Sequence, residues 1–96
     1  IKVFIKRKCI EGKLREVSKL LIKARSIAMD YPGYFSAETL SEHGHPNNVM
    51  VVAMWQEKED WENYRNSEQR KANEAEFAPL LSGPTEYEIY ELGLHL

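Results

Sequence analysis

The segment Val49-Met50-Val51-Val52-Ala53-Met54-Trp55 restricts the fold of this chain more than any other stretch. It is an unbroken apolar run with three β-branched valines, bounded by Asn47-Asn48 and Gln56-Glu57, and it reads as a buried strand. A strand that is apolar on both faces needs cover on both faces. The rest of the sequence offers two helical stretches of useful length. A strand–helix–strand–strand–helix–strand order places both on the same side of a four-stranded antiparallel sheet. The other side would then be left to water, and a large exposed apolar patch is unusual on a soluble monomer. The expectation is a second copy packed sheet to sheet, a homodimer; a monomer with a partly wet sheet is the alternative.

The flanking segments supply that order. Lys2 to Cys9 alternates, with Val3 and Ile5 on one side and Lys2, Lys6 and Lys8 on the other, which is the period of a strand. Phe4 breaks the alternation by placing a ring among the lysines. After Glu11-Gly12 the period changes: Leu14, Val17, Leu20, Leu21, Ala24, Ile27 and Ala28 recur at spacings of three and four, the stripe of an amphipathic helix. On its outer side Glu16 is spaced to pair with Lys19. Pro32-Gly33 is a turn, Tyr34–Leu40 a second strand, and the polar stretch from Glu42 to Asn48 reads as an exposed loop. Beyond Trp55, the acidic Glu57, Glu59 and Asp60 suit a helix start, and Trp61 and Tyr64 form the apolar stripe. Asn66-Ser67 interrupts this helix, Ser67 caps a further helical piece to about Glu76, and Phe77–Pro84 is a connector. Thr85–Leu92 is the fourth strand. The expected fold class is therefore α+β: one βαββαβ protomer over residues 1–96, a four-stranded antiparallel sheet with its helices on one face.

Composition narrows the partners. The chain has 96 residues, a net charge of −2 and charges of mixed sign, so nothing electrostatic points to nucleic acid or an anionic membrane. No apolar run approaches the ~20 residues that span a bilayer. Cys9 is the only cysteine, which excludes an internal disulfide or a multi-cysteine metal site and suits a reducing cytoplasm. His43 and His45 form H-x-H without an evident third ligand, so solvated histidines are expected and no metal.

Several of these segments, taken in order, carry a family resemblance. Pro32-Gly33-Tyr34, the strand ending in Trp55, the helix opening Glu57-Lys58-Glu59-Asp60-Trp61, Asn66-Ser67-Glu68, and Ala78-Pro79-Leu80-Leu81-Ser82-Gly83-Pro84 resemble the antibiotic biosynthesis monooxygenase (ABM) domain. The resemblance implies a ferredoxin-like protomer and a dimeric α+β barrel. It also implies a pocket between sheet and helices, lined by the strand-end tryptophan. Relatives include oxygenases of aromatic polyketides that need no cofactor, quinol oxygenases, haem-degrading enzymes, isomerases and proteins of no known activity, so the chemistry must be read from the site.

In the haem-degrading branch the iron ligand is a histidine on the second helical stretch, accompanied by an asparagine on strand one. Here the nearest positions hold Asn73 or Glu74, and Lys6 or Arg7, so no haem and no other cofactor is expected. The branch that works without a cofactor needs a dry cavity that holds a planar ring and stabilises its anion. Trp55, Trp61, Tyr64 and Phe77 are the candidate walls, and Arg70 or Asn73 the candidates to face a phenolate. Each has a plain structural reading as well: Trp55, Trp61 and Tyr64 as core residues, Arg70 on a solvated helix face. One family arrangement carries an asparagine four residues before the strand-end tryptophan, where this chain has Val51. The expected activity is a cofactor-independent monooxygenation of a small planar aromatic or quinol-like substrate, with Trp55, Trp61, Tyr64, Arg70 and Asn73 binding it and no catalytic residue assigned. The alternative is a non-catalytic, dimeric ligand-binding or interaction module of the same fold.

Overall fold

A computed structural model describes residues 1–96. The elements follow the expected order: β1 (Lys2–Lys8), α1 (Leu14–Ala28), β2 (Tyr34–Glu42), β3 (His45–Trp55), α2 (Lys58–Arg65), α3 (Glu68–Phe77), a short 3-10 turn (Ala78–Leu80) and β4 (Glu86–Tyr90). The strands form one antiparallel sheet in the order β2-β3-β1-β4, the ferredoxin-like α+β arrangement.

Register sorts the side chains onto two faces, because residues paired directly across neighbouring strands share a face. Val3 pairs with Ala53 and Ile89, Ile5 with Val51 and Tyr87, and Arg7 with Val49. These residues, with Trp55 and Cys9, face the helices. Ala28, Trp61 and Tyr64 complete one core cluster over Val3, Ile5, Ala53 and Trp55, and Val17 and Phe77 complete a second over Cys9 and Val49. Each large apolar side chain buried in this way contributes about 1.5–3 kcal/mol relative to its exposed state. The opposite face carries Phe4, Met50, Val52 and Met54, all half-buried, with Leu40 and Tyr90 exposed. Phe4 meets Tyr90 edge to face at 5.2 Å, and Lys6 pairs with Glu88 at the rim.

Local chemistry fixes the joints. Gly33 has φ +86°, and a Cβ there would come within 2.3 Å of the Asp60 carboxylate, so the Pro32-Gly33 turn can lie against the start of α2 only with glycine. Glu57 and Asp60 form a reciprocal capping box at that helix end. Ser67 accepts from the Arg70 N–H at 3.1 Å and so starts α3, as its position in the sequence suggests. Cys9 follows β1 in an isolated bridge to Leu81 and is 5% exposed; burial pushes its thiol above the ordinary value.

Two local expectations are corrected. The stretch Glu42–Asn48 is mostly strand, with Glu42 paired to His45 and only His43-Gly44 left at the hairpin tip, where Gly44 takes φ +80°. Backbone pairing at a hairpin tip does not require apolar side chains, so polarity alone misplaced the boundary. Glu16 and Lys19 form no ion pair; the long-range pair on α1's outer side is Lys23 with Glu76 at 2.6 Å.

Candidate binding cavity between helix α1 and the sheet

A cavity of about 390 Å³ lies between α1 and the sheet, with α2 and α3 closing one side. Its lining explains why it is there. Ala37 and Ala53 on the sheet, and Ala24 and Ala28 on α1, are too small to fill the gap between the layers. Ile5 and Val51 add an apolar floor, and Leu21 and Ile22 of α1 line the opposite wall. Ile22 of α1 is 70% exposed, and Glu38 and Thr39 of β2 are exposed across from it, which places the opening between α1 and the β2 edge of the sheet. Arg25, Ser18, Thr39 and Glu38 also belong to this rim.

One end is aromatic. Trp55 stacks on Tyr64 at 5.1 Å with 24° between the rings, meets Tyr34 edge-on at 5.4 Å, and lies 6.3 Å from Trp61. The Tyr64 hydroxyl donates to the Ala24 carbonyl at 3.3 Å, tying α2 to α1 across the cavity. Burial pushes the Tyr64 phenol up, against the pull of Arg70 and Arg7. The indole N–H groups of Trp55 and Trp61 and the hydroxyl of Tyr34 are buried without a hydrogen-bond partner. Such groups are uncommon in folded proteins and cost about 1–3 kcal/mol each when left unsatisfied.

The other end is charged. Arg7 and Arg70 both line the cavity, and both are only 3% exposed. Arg7 donates through Nη2 to Glu74 Oε2 at 2.8 Å, and Arg70 donates through Nη1 to the same oxygen at 2.8 Å. Arg70 Nη2 also reaches the Tyr87 hydroxyl at 3.0 Å, and Thr85 Oγ1 donates to the second Glu74 oxygen. The Arg7 guanidinium sits 4.0 Å above the Phe77 ring, a cation–π contact that limits the cost of burying it. Its Nε is left without a partner. Burial works against ionisation of Glu74, but the hydrogen bond and charge of Arg7, then the charge of Arg70, hold its carboxyl below the ordinary range. For Arg70, burial is likewise opposed, by Glu74 and the two phenols, and the guanidinium stays charged.

Four of the five residues expected to bind a ligand therefore meet around one cavity: Trp55, Trp61, Tyr64 and Arg70. The fifth, Asn73, is 1% exposed and lies outside the lining, with both amide atoms unpartnered. Phe77 is 0% exposed in the second core cluster, beneath Arg7. Arg7 and Tyr34 line the cavity and were not singled out by sequence. For Arg7 the signal was strand parity, since it shares odd positions with the inward-facing Val3, Ile5 and Cys9. Glu74, one of the two positions weighed above against the haem-degrading branch, is taken up by two guanidiniums and a hydroxyl.

Comparison with known proteins agrees with this architecture. The family model described as "Antibiotic biosynthesis monooxygenase" matches residues 1–76. The chain belongs to that family. Among solved structures, a conserved protein from Methanosarcina mazei Go1 superposes with a TM-score of 0.86 at 18% identity, covering 93% of this chain and 88% of that one. A protein from Mycobacterium tuberculosis gives 0.83 at 13% identity, over 97% and 95% of the two chains. SnoaB of Streptomyces nogalater, a cofactor-independent oxygenase, gives 0.78 at 14% identity, again over 97% and 95%. At such identities these likenesses establish the shared ABM fold. No curated protein matches the sequence. No helix of the chain is long and apolar enough to cross a membrane.

Proposed function

We propose that this ABM protein binds a small planar aromatic or quinol-like molecule in the cavity under α1 and oxygenates it without a cofactor. The observation that carries the reading is the cavity itself, an apolar space with an aromatic wall at one end and two buried guanidiniums at the other. An electron-rich phenol or enol, once ionised, can pass an electron to dioxygen unaided. Recombination at carbon and loss of water then convert a ring CH2 plus O2 into C=O plus H2O. Such a reaction asks the protein to hold the ring, exclude bulk water and stabilise the anion. Trp55, Trp61 and Tyr64 wall the space together; at 1%, 0% and 4% exposure, and packed on one another, they offer a ligand ring edges and not a free face. Asn73, buried with both amide atoms unpartnered, remains the further ligand-binding candidate of this reading. That the fold of SnoaB, a cofactor-independent oxygenase, is shared supports the same class of chemistry.

The working unit in this reading is a homodimer in a cytoplasmic setting. Phe4, Met50, Val52 and Met54 give the outer sheet face an apolar centre, and the lysines and glutamates around it give a charged rim, the usual anatomy of a protein interface. Light scattering at micromolar protein should return twice the chain mass, and a monomer mass would count against the dimer.

Oxygen uptake with a panel of hydroquinones and anthrones tests the activity. Uptake well above that of a Trp61→Ala variant is expected for at least one of them. No uptake above that control, with ring binding retained, would make the protein a non-catalytic ligand-binding module.

A further inference from the structure

We propose that the inner wall formed by Arg7 and Arg70 is an anion subsite, so that the cavity selects planar aromatic molecules carrying one negative charge close to the ring. This rests on the proposed function and names the charge state of its substrate. Charge counting carries the argument. Two guanidiniums, each 3% exposed, share a single oxygen of a single carboxylate, which leaves the buried cluster with one uncompensated positive charge. Arg7 is also short of a partner, because its Nε is buried and unpaired. An uncompensated charge in a low-dielectric interior is costly, and a ligand anion in the adjoining space would offset that cost.

The charged and titratable groups that line the cavity are Arg7, Arg70 and Tyr64 within, with Tyr34 beside them and Arg25 and Glu38 at the rim. Glu74 stands behind the two arginines, committed to both and held well ionised. Burial disfavours loss of the Tyr64 proton. The inner wall is thus built to receive an anion and carries no side chain suited to generating one. Acidic phenols, stable enols and hydroxyquinones, which ionise near neutral pH, fit it; neutral arenes of the same outline do not.

The test uses 4-nitrophenol, whose phenolate absorbs apart from the phenol, and 4-nitroanisole, its uncharged analogue, with tryptophan quenching to report occupancy. An opposite charge within ~4–6 Å lowers an acid's pKa by about 1–3 units. The phenol bound to the wild-type chain should therefore ionise at least about one pH unit lower than free, and the phenolate should bind at least about tenfold more tightly than 4-nitroanisole. E74Q removes the compensating charge and should enlarge the shift, which a merely structural role for this cluster would not do. R7M should reduce the shift and R7K should retain most of it. If either arginine variant fails to fold, wild type and E74Q decide the matter. Binding of both probes without a shift, or a smaller shift in E74Q, overturns the anion subsite and leaves the ring-binding cavity standing. Binding of neither probe overturns both.

Discussion

The two ends of the cavity present side chains that are almost fully buried, Trp55, Trp61 and Tyr64 at one and Arg7 and Arg70 at the other, and are held together by different physics. At the aromatic end, Trp55, Trp61 and Tyr64 are sealed by ring packing, and their polar cost is confined to two unpartnered indole N–H groups. At the charged end, Arg7, Glu74 and Arg70 are sealed by ion pairs that join β1 to α3, with Thr85 and Tyr87 drawing in the β4 side. Ring packing involves no titrating partner, whereas a buried charge network depends on every member staying ionised. The pairing of one neutral wall with one cationic wall gives the space between them a direction: a ring has somewhere to pack and a charge has somewhere to point.

Removing a member from each end should break the comparison most sharply. Trp61→Ala, at 0% exposure, deletes the largest block of the aromatic end and should cost about 3–5 kcal/mol, read as a lower midpoint in urea unfolding. Glu74→Leu leaves two buried guanidiniums without their carboxylate. Truncating one partner of a buried pair costs about 3–5 kcal/mol; because the Glu74 side chain is 24% exposed, the lower part of that range is expected. Only the second loss should depend on pH. Glu74 has its folded-state pKa depressed, so its stabilisation is complete above the ordinary carboxylate value and disappears as pH falls through the depressed one. Wild type should therefore lose its advantage over Glu74→Leu on acidification below the ordinary carboxylate range, while its advantage over Trp61→Ala should not follow that titration. The smallest effect concerns how α3 is started: Ser67→Ala removes the cap on the Arg70 N–H and should cost about 1 kcal/mol, seen as a modest drop in midpoint.

The two ends also differed in how far they could be read from the sequence. The aromatic end was legible because Trp55 closes an apolar strand and Trp61 and Tyr64 fall three apart on a helix, patterns that announce burial. The charged end was half legible. Arg70 and Glu74 are spaced i,i+4, yet that spacing is just as common on a solvated helix face, and only the packing of α3 against β1 turns it inward. Arg7 lay hidden in Lys6-Arg7-Lys8, where its neighbours are exposed and its own side chain, by parity, is not. The placement of both helices on one face of the sheet followed from connection rules, and Ser67 from capping chemistry. The length of the β2–β3 hairpin did not, since its tip pairs through backbone between polar residues. The cavity was the hardest feature to foresee. Its volume comes from alanines on separate elements, and no single segment shows that Ala24, Ala28, Ala37 and Ala53 will face one another.

The account stands most directly on one ligand touching both ends. A proton–nitrogen correlation spectrum of the side-chain N–H groups, followed while ionised 4-nitrophenol is added, reads the two ends at once through the unpartnered Trp55 and Trp61 indoles and the Arg7 Nε–H. The predicted result is that the indole and arginine signals move together along one saturating curve. Movement of the indoles with the arginine unmoved, or no movement of either, would contradict it.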